Sequence, residues 1–266
     1  MNIYLELTQA FNAGRLRTII SSGQAVVLHR LAIMSKDGDW VLREDDEAID
    51  HVLRVLESYG AHYRFGAPLD VRWLCNGWSS HFEFRAGDLR VRTDFVSRPP
   101  RLSRTQLATL WERNVGVVTP VVDPASLVLL KQTNREKDYA VIGELARQLA
   151  SPRDQLLYSR SAQDLLALAA QHPQLTAELQ LQRPLLAEIS RGREHVEIAL
   201  DAERRAQIHA NERRLATYQE AASRWAARWP QLEQAVVGLP LREAHQQIRA
   251  AAEKLLPFQL PLAKLS

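Results

Sequence analysis

Ile19-Ile-Ser-Ser-Gly-Gln-Ala-Val-Val-Leu-His-Arg-Leu-Ala-Ile-Met-Ser-Lys-Asp-Gly-Asp-Trp-Val-Leu42 is the stretch whose reading decides the fold. It opens with a short apolar run that breaks at Ser22-Gly23. A helix follows over Gln24 to Leu31, and Asp37 and Asp39 then stand two apart before Trp-Val-Leu. Read as a strand, Asp37 to Leu42 alternates its side chains between faces. Asp37 and Asp39 share one face, with Gly38, Trp40 and Leu42 on the other. Two adjacent carboxylates repel unless something positive lies between them, and a divalent cation is the usual partner.

Upstream of this stretch, Ile3, Leu5, Leu7 and Phe11 are spaced for a helix over residues 2–13, with Gly14 as its stop. Arg17 to Ser21 reads as a short buried strand. Downstream, Asp45 to Tyr59 is an amphipathic helix with Ile49, Val52, Leu53 and Leu56 inward and Gly60 at its end. The period then changes. Asp70 to Cys75, His81 to Phe84 and Leu89 to Val96 carry the β-branched and aromatic residues of strands. Asn76-Gly77 and Ala86-Gly87-Asp88 supply the turns. Val115 to Val122 reads as a last strand, and Asp123-Pro124 starts a helix, followed by another over Lys137 to Leu149.

After Ser151-Pro152 strand formers vanish, and Ala, Leu, Gln, Glu and Arg dominate. The longest helix there is expected from about Glu194 to Arg228. Ile208, Leu215, Tyr218, Ala222, Trp225 and Trp229 trace a heptad-like stripe along it. The tail Leu256-Pro-Phe-Gln-Leu-Pro-Leu262 is expected to cross another surface. The expected fold class is therefore α+β, a mixed sheet flanked by helices over residues 1–150, followed by an all-helical region over 151–266.

Composition narrows the function. The chain has 266 residues and one cysteine, Cys75, so a disulfide framework and a thiolate zinc site are excluded. Val-Arg-Trp-Leu-Cys reads as a buried strand end. A net charge of +3 is compatible with a polyanionic partner without requiring one. The opening residues lack the basic region and apolar core of a signal peptide, and no apolar run approaches the roughly 20 residues of a membrane span. A cytoplasmic setting without membrane attachment is the expectation.

Strand, Ser22-Gly23, helix, Asp37-Gly-Asp39 and a third strand carboxylate, Asp94, follow one another in an order that resembles the DNA polymerase β-like nucleotidyltransferase superfamily. Within it the chain looks most like the minimal nucleotidyltransferases, including toxins of toxin–antitoxin pairs. Those also carry a Lys-x-x-x-Arg-x-Lys-Asp segment, which reads here Lys131-Gln-Thr-Asn-Arg135-Glu-Lys137-Asp138. The resemblance covers roughly residues 15–150. It implies a nucleotidyl transfer from a nucleoside triphosphate to a hydroxyl acceptor, an RNA end, a protein or a small molecule. Asp37, Asp39 and Asp94 would be the catalytic residues and the ligands of two Mg²⁺ ions. Ser21, Ser22 and Gly23 would cradle phosphates at the helix start, and Lys131 and Arg135 would neutralise triphosphate charge.

The sequence departs from the family pattern where Ser22 replaces the first glycine, Gln24 a small residue and Gly38 an apolar one. A second reading is therefore a lapsed enzyme that works as an interaction module through the Ile208–Trp229 stripe, with an antitoxin or a second copy as partner. Arg191, Arg193, Arg204, Arg205, Arg213 and Arg214 suggest a third, in which the helical half binds RNA.

Overall fold

The computed structural model describes residues 2–260. It is an α+β fold. Five strands, β1 (Thr18–Ser21), β2 (Asp37–Leu42), β3 (His62–Arg64), β4 (Ser80–Ala86) and β5 (Leu89–Val96), form one sheet in the order β1-β2-β5-β4-β3. β2 and β5 run parallel, and the other neighbours are antiparallel. The helices are α1 (Ile3–Phe11), α2 (Ser22–Leu28), α3 (Asp46–Ser58), α4 (Val71–Leu74), α5 (Arg104–Arg113), α6 (Pro124–Leu130), α7 (Lys137–Gln148), α8 (Pro152–Tyr158), α9 (Ala162–Gln171), α10 (Pro173–Leu179), α11 (Arg193–Ala221), α12 (Ser223–Val236) and α13 (Leu241–Leu255). None of the described helices is long and apolar enough to cross a membrane.

The chain divides into two compact units. One is Met1–Val122 with Leu215–Ser266, and the other is Asp123–Arg214. The expected division at residue 150 differs from this one, because the C-terminal helices pack with the sheet-bearing residues. Loss of strand formers marks where the sheet ends in sequence, but composition does not reveal which helices return to a distant sheet.

In the first unit one face of the sheet is packed with aromatic rings. Trp40 of β2 stacks on Phe95 of β5 at 5.5 Å and meets the edge of Phe11 from α1 at 5.4 Å. The buried Trp40 indole donates to Thr8 Oγ1 at 2.9 Å, so its one polar atom is satisfied. Gly38 now has a reason. A Cβ there would run into the rings of Trp40 and Tyr4.

On α13 the buried His245 ring stacks beside Tyr63 of β3, and the Tyr63 hydroxyl donates to His245 Nδ1 at 2.7 Å. The tail does cross a surface: Trp73 Nε1 donates to the Leu256 carbonyl and Trp78 Nε1 to that of Phe258, each at 3.2 Å. Pro261 and Leu262 lie outside the described residues.

The second unit buries Leu156, Leu165, Leu179, Leu186 and Val196. Arg183 is buried beside them, donating to the carbonyls of Leu156 (2.7 Å) and Ser159 (2.9 Å) and pairing with Glu203. These charge-assisted bonds offset the desolvation of its guanidinium.

Several elements differ from expectation for identifiable reasons. Asp70 to Cys75 is not a strand. The Asp70 side chain accepts from Arg72 N and caps the single-turn helix α4, which leaves Cys75 half-buried at its C-terminus. Val115 to Val122 makes only one parallel bridge, Ile20 with Val121. The helix expected over Glu194 to Arg228 breaks at Ala222 between α11 and α12. The end of its stripe is consumed within the chain: Trp225 Nε1 donates to Gly66 O at 2.9 Å, and Trp229 meets Phe65 edge-on at 5.9 Å. That part of the stripe is core, not a partner seam.

Candidate active site

Register across the sheet assembles the site. Ser21 lies opposite Asp39, Asp39 opposite Asp94, and Asp94 opposite His81, on four adjacent strands. Neighbouring strands lie about 4.8 Å apart, so this row brings residues from four distant points of the sequence side by side. Asp37 and Arg92 face each other one pleat away. The alternation that sends Trp40, Val91, Thr93 and Phe95 inward leaves Asp37, Asp39, Arg92 and Asp94 on the open face.

Asp94 Oδ1 is 2.8 Å from His81 Nδ1 and accepts from Arg64 Nη1 at 3.4 Å. His81 Nε2 in turn is 2.8 Å from Ser79 Oγ. With the ring proton on Nδ1, the imidazole donates to Asp94 and accepts from Ser79. Asp37 is less well served. Its Oδ1 is buried without a hydrogen bond, and Arg92 Nη1 stands 3.9 Å away.

Tyr4 on α1 donates its hydroxyl to Lys36 O at 2.6 Å. Burial, and then the charges of Asp37, Asp39 and Asp94, push this phenol above its ordinary range. One side chain thus feels all three carboxylates. Beside them Glu83 gathers cations, with Arg90 at 2.6 Å, Arg64 at 3.6 Å and Arg92 at 3.8 Å. Burial acts to raise the Glu83 carboxyl, but Arg90, His62 and Arg64 hold it below the usual carboxylate range.

The turn into α2 behaves as a glycine turn despite its serine. Ser22 takes φ +49, the left-handed conformation that glycine adopts without strain. Gly23 is required by packing, since a Cβ there would strike the side chain of Ser35. Gln24 is buried and donates to the carbonyls of Ser35 (3.1 Å) and Asp37 (3.3 Å), fixing the segment that leads into β2. The departures at positions 22, 24 and 38 are all accommodated by local structure.

Lys131 and Arg135 belong to the second unit. Lys131 is buried with Nζ 3.4 Å from Asp138 Oδ1, and Arg135 Nε donates to Asp138 Oδ2 at 2.9 Å. This segment is realised as an ion cluster around Asp138. Arg191, Arg193, Arg204 and Arg205 each pair with an acid three or four residues away along their own helices. This is the pattern of a solvated helix face.

The sequence reading did not reach His81, Ser79, Arg64 or Glu83. Strand alternation alone can place His81 and Glu83 on one face of β4. Only the β4–β5 register places His81 on Asp94, and register is set by long-range pairing.

The carboxylates suit Mg²⁺ in donor type, being hard oxygens on one open face with one buried oxygen left without a hydrogen bond. Among the described residues, no three His, Cys, Asp or Glu side chains are grouped closely enough to hold an ion by themselves. That is compatible with Mg²⁺, which is commonly held by one or two carboxylates together with substrate phosphates and water.

No family model matches the chain, and no curated protein matches it. Among solved structures it is similar to one described as "Crystal structure of putative nucleotidyltransferase from H. pylori". Identity is 12%, the match covers 79% of this chain and 96% of that one, and the TM-score is 0.38. A likeness this distant carries no argument about the site.

Proposed function

We propose that the protein is a Mg²⁺-dependent nucleotidyltransferase that moves a nucleoside monophosphate from a nucleoside triphosphate to a hydroxyl acceptor. The observation that supports this reading best is the register Ser21–Asp39–Asp94. It sets the loop before α2 beside one carboxylate of the Asp37-Gly-Asp39 pair, and that carboxylate beside a third on a parallel strand. The backbone at Ser21, Ser22 and Gly23 would meet the phosphates. Two Mg²⁺ ions held by Asp37, Asp39 and Asp94 would supply the charge that offsets the triphosphate and the departing pyrophosphate.

In the transfer, the acceptor oxygen attacks the α-phosphorus, the bond from that phosphorus to the bridging oxygen breaks, and pyrophosphate leaves. Asp94 would take the acceptor's proton. His81 and Arg64 orient it from the side away from β2. The family resemblance extends the reading to a toxin of a toxin–antitoxin pair.

Incubation with each labelled nucleoside triphosphate, Mg²⁺ and cell extract tests the proposal. Wild-type protein is expected to transfer label and to lose the activity with chelator. Asp39→Asn and Asp94→Asn are each expected to lower transfer by about 10³-fold, on the scale of a lost electrostatic contact in a transition state, without loss of fold. Equal labelling by these variants would overturn the assignment.

A further inference from the structure

Beside the Tyr63–His245 pair lies a cavity that none of the proposed transfer residues lines. It is bounded by α3 and α13 and encloses about 700 Å³. Sites for drug-sized ligands span roughly 300–1,000 Å³. Ile49, Leu53 and Leu69 supply its apolar lining, and all three are buried. His245, only 8% exposed, lines it too.

The hydrogen bonds of Tyr63 fix the state of that histidine. The phenol oxygen accepts from Leu69 N at 3.1 Å, and its one hydrogen goes to His245 Nδ1 at 2.7 Å. The ring proton is therefore on Nε2. Because Nδ1 is turned to Tyr63, the N–H at Nε2 is the donor left for the cavity, and nothing among the described residues accepts it. A donor held this far from bulk water needs an acceptor. Burial pushes the imidazole down to about 4, so at neutral pH it carries no charge that would repel a cation.

The charges around the cavity do not balance. Its guanidiniums are already engaged: Glu57 accepts from the backbone N–H (3.1 Å) and Nε (2.8 Å) of Arg242, and Arg249 stands 4.0 Å from Asp70. Asp50 pairs with Arg54 along α3. Asp46 and Glu243 line the cavity with no ion pair among the described residues. Each lies in the first turn of its helix, where the dipole offsets only part of a full charge. The cavity thus presents two uncompensated carboxylates, an apolar lining and one neutral donor.

We propose that this cavity receives the free N-terminus of a peptide whose first side chain is aliphatic. The ammonium would be drawn to Asp46 and Glu243, and the first side chain would lie against Ile49, Leu53 and Leu69. The first carbonyl would accept from His245 Nε2. A peptide N-terminus joins these three features within one residue, and the volume leaves room for the residue that follows. The proposal is independent of the nucleotidyltransferase reading, which uses none of these side chains.

Titration calorimetry of the full chain with Leu-Ala-Ala amide, its N-acetylated form and leucinamide tests the site. The free tripeptide is expected to bind, and leucinamide to bind more weakly. The acetylated tripeptide, which lacks the ammonium, is expected to bind at least about tenfold more weakly, the scale of a lost hydrogen bond to a charged group. Asp46→Asn combined with Glu243→Gln, both exposed positions, should weaken the free tripeptide by a similar factor without loss of fold. The ¹⁵N resonance of His245 Nε2 should shift when the tripeptide binds.

Absence of binding by Leu-Ala-Ala amide overturns the proposal, as does equal affinity for its acetylated form. Bound tripeptide with an unshifted His245 resonance, or with full affinity in the double variant, places it elsewhere and also overturns the site. Leucinamide binding as tightly as the tripeptide would make the occupant a small amine and overturn the peptide.

Discussion

The two faces of the β2–β5–β4 sheet are built from alternate residues of the same strands, yet they obey opposite rules. On the inner face Trp40, Phe82, Val91 and Phe95 are fully or almost fully buried. On the open face Asp37, Asp39, Asp94, His81, Glu83, Arg90 and Arg92 remain partly exposed, and most of them interact across strands. The inner face is held by area removed from water and ring contacts. The outer one is held by charge pairing and leaves Asp37 Oδ1 and Arg92 Nε without hydrogen bonds. A face retained for stability alone would not place two aspartates side by side. The contrast assigns stability to one set of side chains and leaves the other for the proposed chemistry.

The sharpest way to break this division is a pair of neighbours. Trp40→Ala is expected to destabilise the fold by about 3–5 kcal/mol through cavity formation, whereas Asp39→Asn, one residue away, should leave the unfolding midpoint unchanged. Urea unfolding of both variants checks this, and a larger loss in Asp39→Asn would contradict it.

A second prediction concerns the titratable group behind the inner face. Burial, with help from Arg249, pushes the His245 imidazole down to about 4. The unfolded chain takes up a proton near pH 6.5 and the folded one does not. The associated stability is therefore present above pH 6.5 and is lost as pH falls toward 4, by about 3 kcal/mol. Unfolding free energies measured between pH 7 and 4 should show this slope, and His245→Gln should flatten it. An identical slope in the variant would assign it elsewhere.

The smallest effect concerns Thr93, fully buried on β5 with Oγ1 lacking any hydrogen bond. Thr93→Val removes an unsatisfied hydroxyl at nearly constant shape and should stabilise by about 1 kcal/mol, read as a higher melting temperature. A loss of stability would mean that the hydroxyl has a partner in solution.

The carboxylate strands were legible because their signals are local. The Asp37–Leu42 and Leu89–Val96 bounds match β2 and β5, since alternation between charged and apolar residues extends over the whole of each strand. Local signals also account for the errors. Val-Arg-Trp-Leu-Cys has strand propensity, but the Asp70 cap turned it into a helix. Ser103 and Gln106 form a capping box that starts α5, a helix the sequence reading passed over although the spacing was present. β3 has only three residues, too few for a period to show. Within the candidate site the aspartates could be found from the sequence, while the contacts of His81, Arg64 and Glu83 could not. Those contacts depend on which strands become neighbours, and this is decided by the packing of the whole sheet.

The return of the C-terminal helices to the sheet has a consequence for the order of synthesis. Tyr63 waits for His245 and Trp73 for Leu256, partners 182 and 183 residues further along the chain. The second unit, Asp123–Arg214, is contiguous and has its partners nearby. A chain emerging from the ribosome therefore holds all five strands early, while Tyr63 and Trp73 gain His245 and Leu256 only when translation is almost over. Premature termination anywhere before α13 would leave α3 and Tyr63 of β3 without the helix that packs on them, so a truncated product would expose apolar surface there.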